Sequence, residues 1–229
     1  MSGTDRRMGG WTDGRMGGWN VALTAAILLS VHPPIRLSAQ SLHVALGARY
    51  STALVRDAIV SPIAVRPALG PLVIVTAALP LDHGWTAEAL VHGGWAALRA
   101  EEDGRPATAL GTARTIGAEL ALRRRLAGGG RGERGRRGGL TGRMGIGAFK
   151  YVARRTGIFR DGPPPVIPLW STGLRYDPPA GWPRGLAIEA RYDVHGLITP
   201  ALRGVGFTSP RIVHRIALLL SLRVAGTPP

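Results

Sequence analysis

The chain has 229 residues, 45% of them hydrophobic, with 33 glycines, 18 prolines and a formal net charge of +15. That much apolar material builds one domain of ordinary size and excludes a chain disordered throughout. There is no cysteine, which excludes disulfides and thiolate metal centres.

Residues 1–40 read as an export signal. Arg6, Arg7 and Arg15 supply a positive front, Val21 to Val31 an uncharged apolar stretch, and Leu37-Ser38-Ala39-Gln40 small residues at a cleavage point near Ala39/Gln40. The apolar stretch is too short for a ~30 Å hydrocarbon layer, which needs about 20 residues in a helix. Arg7-Met8-Gly9-Gly10-Trp11 recurs as Arg15-Met16-Gly17-Gly18-Trp19, so Met1, Met8 and Met16 are alternative starts. The mature domain is expected over 41–229.

Beyond residue 40 the dominant hydrophobic period is two, the period of a strand. In the first segment Leu42, Val44, Leu46, Ala48 and Tyr50 oppose His43, Ala45, Gly47, Arg49 and Ser51. Leu72 to Leu81 is more uniformly apolar and predicts a second strand of uncertain register. A third sets Trp85, Ala87, Ala89, Val91, Gly93 and Trp95 against Thr86, Glu88 and His92, and a fourth sets Ile116, Ala118, Leu120 and Leu122 against Thr115, Gly117, Glu119 and Arg123. Met144, Ile146 and Ala148 oppose Arg143, Gly145 and Gly147 in the fifth, and Trp170, Thr172, Leu174 and Tyr176 oppose Ser171, Gly173 and Arg175 in the sixth. The seventh sorts Leu186, Ile188, Ala190, Tyr192 and Val194 from Ala187, Glu189, Arg191, Asp193 and His195. The eighth sorts Ile212, His214, Ile216, Leu218, Leu220 and Leu222 from Arg211, Arg215, Ser221 and Arg223.

The punctuation suits antiparallel neighbours: Pro80 to Gly84 is a tight turn, Pro178 to Gly185 another, and Glu101 to Pro106 a polar loop. Eight hairpin-linked strands can close on themselves and so remove their edges. The expected fold is all-β, an eight-stranded antiparallel up-and-down barrel.

Alternation alone does not say which face is inside, and a soluble periplasmic barrel holding a lipophilic ligand is the reading with the faces exchanged. Three features favour a transmembrane barrel. The polar face mixes small residues with charges of both signs, a lumen network of Glu88, His92, Glu119, Arg123, Arg143, Arg175, Glu189, Arg191, Asp193 and Arg215, while lysine, common on solvated faces, is almost absent. Trp85, Tyr176 and Trp182 fall near one set of strand ends and Tyr50, Trp95 and Trp170 near the other, as two interfacial girdles require, although aromatics of an ordinary core would also alternate. Segments of 9 to 11 residues match the length of a tilted spanning strand.

On this pattern and the export signal, residues 41 to 225 resemble the small eight-stranded outer-membrane proteins of the OmpA, OmpX and OmpW kind. The resemblance implies a barrel in a bacterial outer membrane with function in its outward loops. Two departures stand out. Members of these families usually finish on a terminal aromatic where this chain reads Leu222 to Pro229, and Ala127 to Gly139 is long for a periplasmic turn.

Within that segment Arg131, Arg134, Arg136 and Arg137 lie among glycines, like an RGG-type nucleic-acid segment. Without interleaved aromatics, and behind an export signal, it reads instead as a solvated basic loop, or one drawn to anionic lipid headgroups. The general arginine excess suits lipopolysaccharide or phospholipid as the partner, and a GC-rich coding bias accounts for it equally well. Glu88 with His92, and Asp193 with His195, are candidate acid–base pairs, though a lumen hydrogen bond is their simpler use. No His-x-Ser pair of an outer-membrane lipid hydrolase and no metal or cofactor motif stands out. Gly145 and Gly147 are expected to make room in a crowded lumen.

The expected protein is a monomeric, non-enzymatic cell-envelope barrel with a structural or adhesive role, its contact surfaces at Thr52 to Gly70, Ala100 to Gly111, Arg155 to Ile167 and Pro200 to Ser209. The alternative is passage of a small solute through the barrel or its wall, which calls for a hydrophobic lumen pocket; the adhesive role calls for a plugged, charged lumen.

Overall fold

A computed structural model describes residues 41–57, 63–102, 105–127, 138–153, 157–164, 166–179, 182–183 and 185–226. The expected export signal and the basic residues Arg131, Arg134, Arg136 and Arg137 lie outside them.

Ten strands form one antiparallel sheet: β1 (Ser41–Ser51), β2 (Val55–Asp57), β3 (Ile63–Pro67), β4 (Gly70–Pro80), β5 (Trp85–Glu102), β6 (Thr108–Ala127), β7 (Gly139–Ala153), β8 (Ile167–Asp177), β9 (Leu186–Leu197) and β10 (Arg211–Ala225). Eight of them close a ring, because β1 pairs with β4 on one side and with β10 on the other, while β4 to β10 pair in sequence. The expected up-and-down, eight-stranded barrel is the fold, and every ring strand has a neighbour on both sides.

The strand faces match the alternation. Along β10, Val213, Arg215, Ala217, Leu219 and Ser221 are buried, whereas Ile216, Leu218 and Leu220 are exposed. The uncertain second strand resolves the same way: Leu72, Ile74, Thr76 and Ala78 face inward, and Val75 and Leu79 outward. Met144 at 73%, Leu120 at 68% and Leu218 at 63% are bare on the outside, while Glu119 and Arg143 are each only 3% exposed. An apolar exterior around a charged interior is the polarity of a transmembrane barrel, and it reverses that of a soluble one. The exchanged faces of a soluble ligand-binding barrel are therefore absent.

All four expected loops differ in extent or content; in Arg155 to Ile167, Gly157–Phe159 is a 3-10 turn and Ile167 opens β8. Thr52 to Gly70 contains a hairpin, β2–β3, and β3 continues the line of β4 along β5, pairing Pro67 with Leu98. Ala68 keeps the two segments on one track by donating its N–H to Ala97 O at 2.7 Å. Ala100 and Gly111, taken for loop, belong to strands, since β5 and β6 pair as far as Ala100 with Thr108. Glu101 and Glu102, expected at the start of the polar loop, also belong to β5, paired with Ala64 and Ile63. Pro200 to Gly204 is a short helix, α1, capped by Thr199 Oγ1, which accepts from the Leu202 N–H at 3.3 Å.

The turn after β4 is as tight as expected: Leu81 N–H donates to Trp85 O at 2.9 Å, with His83 and Gly84 at positive φ of 59° and 76°. This turn, Pro178, Pro179 and Gly185 lie at the end that carries Ser41 and Ala225. The β2–β3 hairpin and α1 lie at the other end.

Candidate functional site

The barrel interior has three parts. A charged core is contributed mainly by β5 to β9, with Arg143 on β7 at its centre. Its Nη1 donates to Glu189 Oε1 at 3.0 Å, its Nη2 bonds Glu119 Oε1, and its Nε lies 3.8 Å from Glu88 Oε2. Arg123 approaches Glu88 Oε1 at 2.7 Å and Glu189 Oε2 at 3.9 Å. Arg191 donates to Glu119 Oε2 at 2.5 Å and to Asp193 Oδ1 at 2.6 Å, and Ser171 Oγ donates to Glu119. Arg175 extends the core toward the termini, donating to Asp177 Oδ1 at 3.0 Å and Ser221 Oγ at 3.3 Å, with His43 Nδ1 3.4 Å away.

This crowding depends on small neighbours in register. Gly173 pairs with both Arg143 and Arg191, and Gly147 pairs with Glu119. A Cβ on Gly145 would collide with the Glu119 carboxylate and meet Ser171 Oγ at 2.9 Å. On Gly117 it would meet Phe149 Cβ at 2.5 Å and His92 Nε2 at 2.7 Å. Inward glycines thus give the long charged side chains their volume.

The second part is an apolar strip on β1, β4, β5, β6 and β10: Ala45, Leu72, Ile74, Leu90, Ala121, Ala217 and Leu219. The third is an apolar plug at the end away from the termini. Phe149 and Tyr151, successive inward residues of β7, stack edge to face at 5.3 Å, and the loop residues Phe159 and Leu54 fold over them, buried almost completely.

All ten residues expected in the lumen point inward, and eight of them join the ionic core: Glu88, Glu119, Arg123, Arg143, Arg175, Glu189, Arg191 and Asp193. His92 and Arg215 are buried apart from it. The suggested acid–base pairs do not form. The Glu88 carboxylate turns to Arg123, Asp193 to Arg191, and His195 packs against the Phe149 ring at 4.7 Å. Arginine competes for each carboxylate with a second strong donor, and wins.

The girdle aromatics Tyr50, Trp85, Trp95, Trp170, Tyr176 and Trp182 are all outward and exposed. Arg124 lies over the Trp85 ring at 5.2 Å. Tyr192, sorted outward but not assigned to a girdle, pairs in register with Thr172 and Ile216, one row from Trp170. Its hydroxyl lies 2.6 Å from Nδ1 of His214, which gives that outward histidine a partner. Arg49, His43, Tyr151, Ser171 and Ser221 are lumen groups absent from the expected network. Arg49 was visible in the alternation of β1, whereas Tyr151 lay beyond the expected end of its strand.

No protein-family model and no curated protein sequence matches the chain. Among solved structures it is similar to the outer membrane protein OprG from Pseudomonas aeruginosa, at 9% identity over 81% of this chain and 94% of that one, with a TM-score of 0.46. It is also similar to the Yersinia pestis outer membrane protein Ail in a phospholipid bilayer nanodisc, at 12% identity over 80% of this chain and 98% of that one, with a TM-score of 0.38. These likenesses carry no functional weight, which rests on the side chains described above.

Proposed function

We propose that the chain is a monomeric bacterial outer-membrane β-barrel with a structural or surface-contact role, embedded among phospholipid and lipopolysaccharide and presenting the loops opposite its termini. The observation that carries this reading is the filled lumen. A conduit needs continuous space, and here a cross-barrel ionic core is followed by an apolar plug. The lumen cavity beside Arg49 and Tyr151 measures only about 20 Å³, the room of roughly one water. Among the described residues the cavity that reaches the lumen side chains is a small polar one, which favours the filled scaffold over the small-solute alternative.

An apolar exterior bounded by aromatics supports placement in lipid, because closed barrels satisfy every backbone group without water. Reconstitution of the purified barrel into planar bilayers tests the role. A sealed scaffold gives no discrete conductance steps and no release of small solutes from vesicles. Reproducible steps or solute release would make it a channel instead.

A further inference from the structure

The lumen holds more positive than negative charge, and the excess is localised. Six arginines (49, 123, 143, 175, 191 and 215) face four lumen carboxylates (Glu88, Glu119, Glu189 and Asp193), with Asp177 serving Arg175 at the rim. Arg123, Arg143, Arg175 and Arg191 all have carboxylate partners. Among the described residues Arg49 and Arg215 have none, and neither does Arg223, partly buried beside Arg175 at the end that carries the termini.

Arg49 and Arg215 lie together. In the β1–β10 register Arg49 faces Ala217 and Ser51 faces Arg215, so the two arginines are diagonal neighbours on the inward face. Arg49 donates to Thr115 Oγ1 at 2.9 Å and Arg215 to Tyr151 Oη at 2.5 Å. Asp193 is the cross-strand neighbour of Arg215, but it is bonded to Arg191. Arg215 packs over Phe149, its guanidinium carbon 4.3 Å from the ring centre. That π face offsets part of the charge and offers no acceptor to Arg215 Nη1, which is buried without a hydrogen bond. Both arginines line a cavity of about 20 Å³, together with Ser51, Thr115 and Tyr151 and, at the β3–β4 junction and on β5, Ala68, Gly70 and Trp95.

A buried guanidinium without a counter-charge is costly, and two side by side also repel one another. Both problems are solved by one anion in the cavity, facing Arg215 Nη1 and the Arg49 guanidinium, with the Tyr151 hydroxyl hydrogen, whose oxygen already accepts from Arg215, free to turn toward it. We propose that this cavity is a binding site for a single monatomic anion, chloride under physiological conditions. A space the size of about one water excludes carboxylate, phosphate and sulfate as occupants. The site locks β1 to β10, the strands whose pairing closes the barrel.

Bromide provides the direct test, because it replaces chloride and scatters anomalously. Crystals of the complete barrel soaked in sodium bromide should show an anomalous peak between Arg49 and Arg215, and the unfolding temperature in detergent should rise by about 2–4 °C when gluconate is exchanged for chloride at constant ionic strength. The Arg215→Gln variant should lose both responses, and Arg49→Gln serves in its place if that variant does not fold. A water without anomalous signal in the cavity, or equal stability in gluconate and chloride, overturns the proposal. Bromide confined to the barrel surface does so too.

Discussion

Glu119 on β6 accepts a hydrogen bond from Arg191 on β9 at 2.5 Å, joining strands three places apart around the ring. The same carboxylate takes Arg143 and Ser171 with its other oxygen. The lumen is therefore crossed by side chains rather than merely lined by them, and the bridging group is a buried anion with two cationic partners.

Replacing Arg143 by Met should be among the most damaging single changes. It leaves Glu119, Glu189 and Glu88 short of a shared cation, and breaking a buried ion pair costs about 3–5 kcal/mol. Urea unfolding in lipid vesicles, followed by tryptophan fluorescence, should give an unfolding free energy lower by that amount, with the midpoint moved to lower urea. A loss below about 1 kcal/mol, the range of an exposed pair, would mean that the core is hydrated rather than closed.

Gly145→Val tests the space that the glycines provide. The new side chain would displace the Glu119 carboxylate and press on Ser171, and overpacking of this kind costs about 1–3 kcal/mol. Ala148→Val, at an outward-facing position free of the network, should be nearly neutral in the same assay.

The lipid face should respond according to depth. Leu218 lies midway along β10, between the rows holding Tyr192 and Tyr176, whereas Val224 is near the strand end. Arginine at Leu218 should cost about 2–4 kcal/mol and at Val224 about 0–1 kcal/mol, the gradient of a bilayer. Equal and small costs at both positions would point to an exterior in water.

If surface contact resides in the loops, exchanging residues 200–209 for a Gly-Ser stretch should abolish cell attachment to a matrix or host surface while the barrel still forms. The short helix α1 lies outside the ring, and its Thr199 cap serves only the helix. Attachment unchanged by exchange of 200–209 and of the β2–β3 hairpin would assign the contact elsewhere.

Much of the barrel was legible because a half-buried strand must alternate. Glu189, Arg191, Asp193 and His195 could occupy one face of β9 only if that face met partners, and the outward row Leu186 to Val194 could meet only lipid or a core. The partners themselves were not legible. That Glu88 would choose Arg123 over His92, four residues away on its own strand, depends on the β5–β6 register, which sets Arg123 opposite Thr86 and so diagonal to Glu88. The plug was missed for a related reason: Phe149 and Tyr151 extend the inward row of β7 with aromatics, which reverses the polarity used to find it. The β2–β3 hairpin is short, and its pairing with β5 is a tertiary contact that no local pattern announces.

An apolar-outside barrel of this kind belongs in an outer membrane, and its location can be measured. Expression of the full chain in a diderm host, followed by isolation of outer membranes and comparison of boiled with unboiled mobility on a gel, tests it most directly. The expected result is recovery in the outer-membrane fraction and a clear mobility difference between the two samples, as a closed barrel resists detergent until heated. Recovery as a soluble periplasmic protein, with mobility unaffected by boiling, would contradict it.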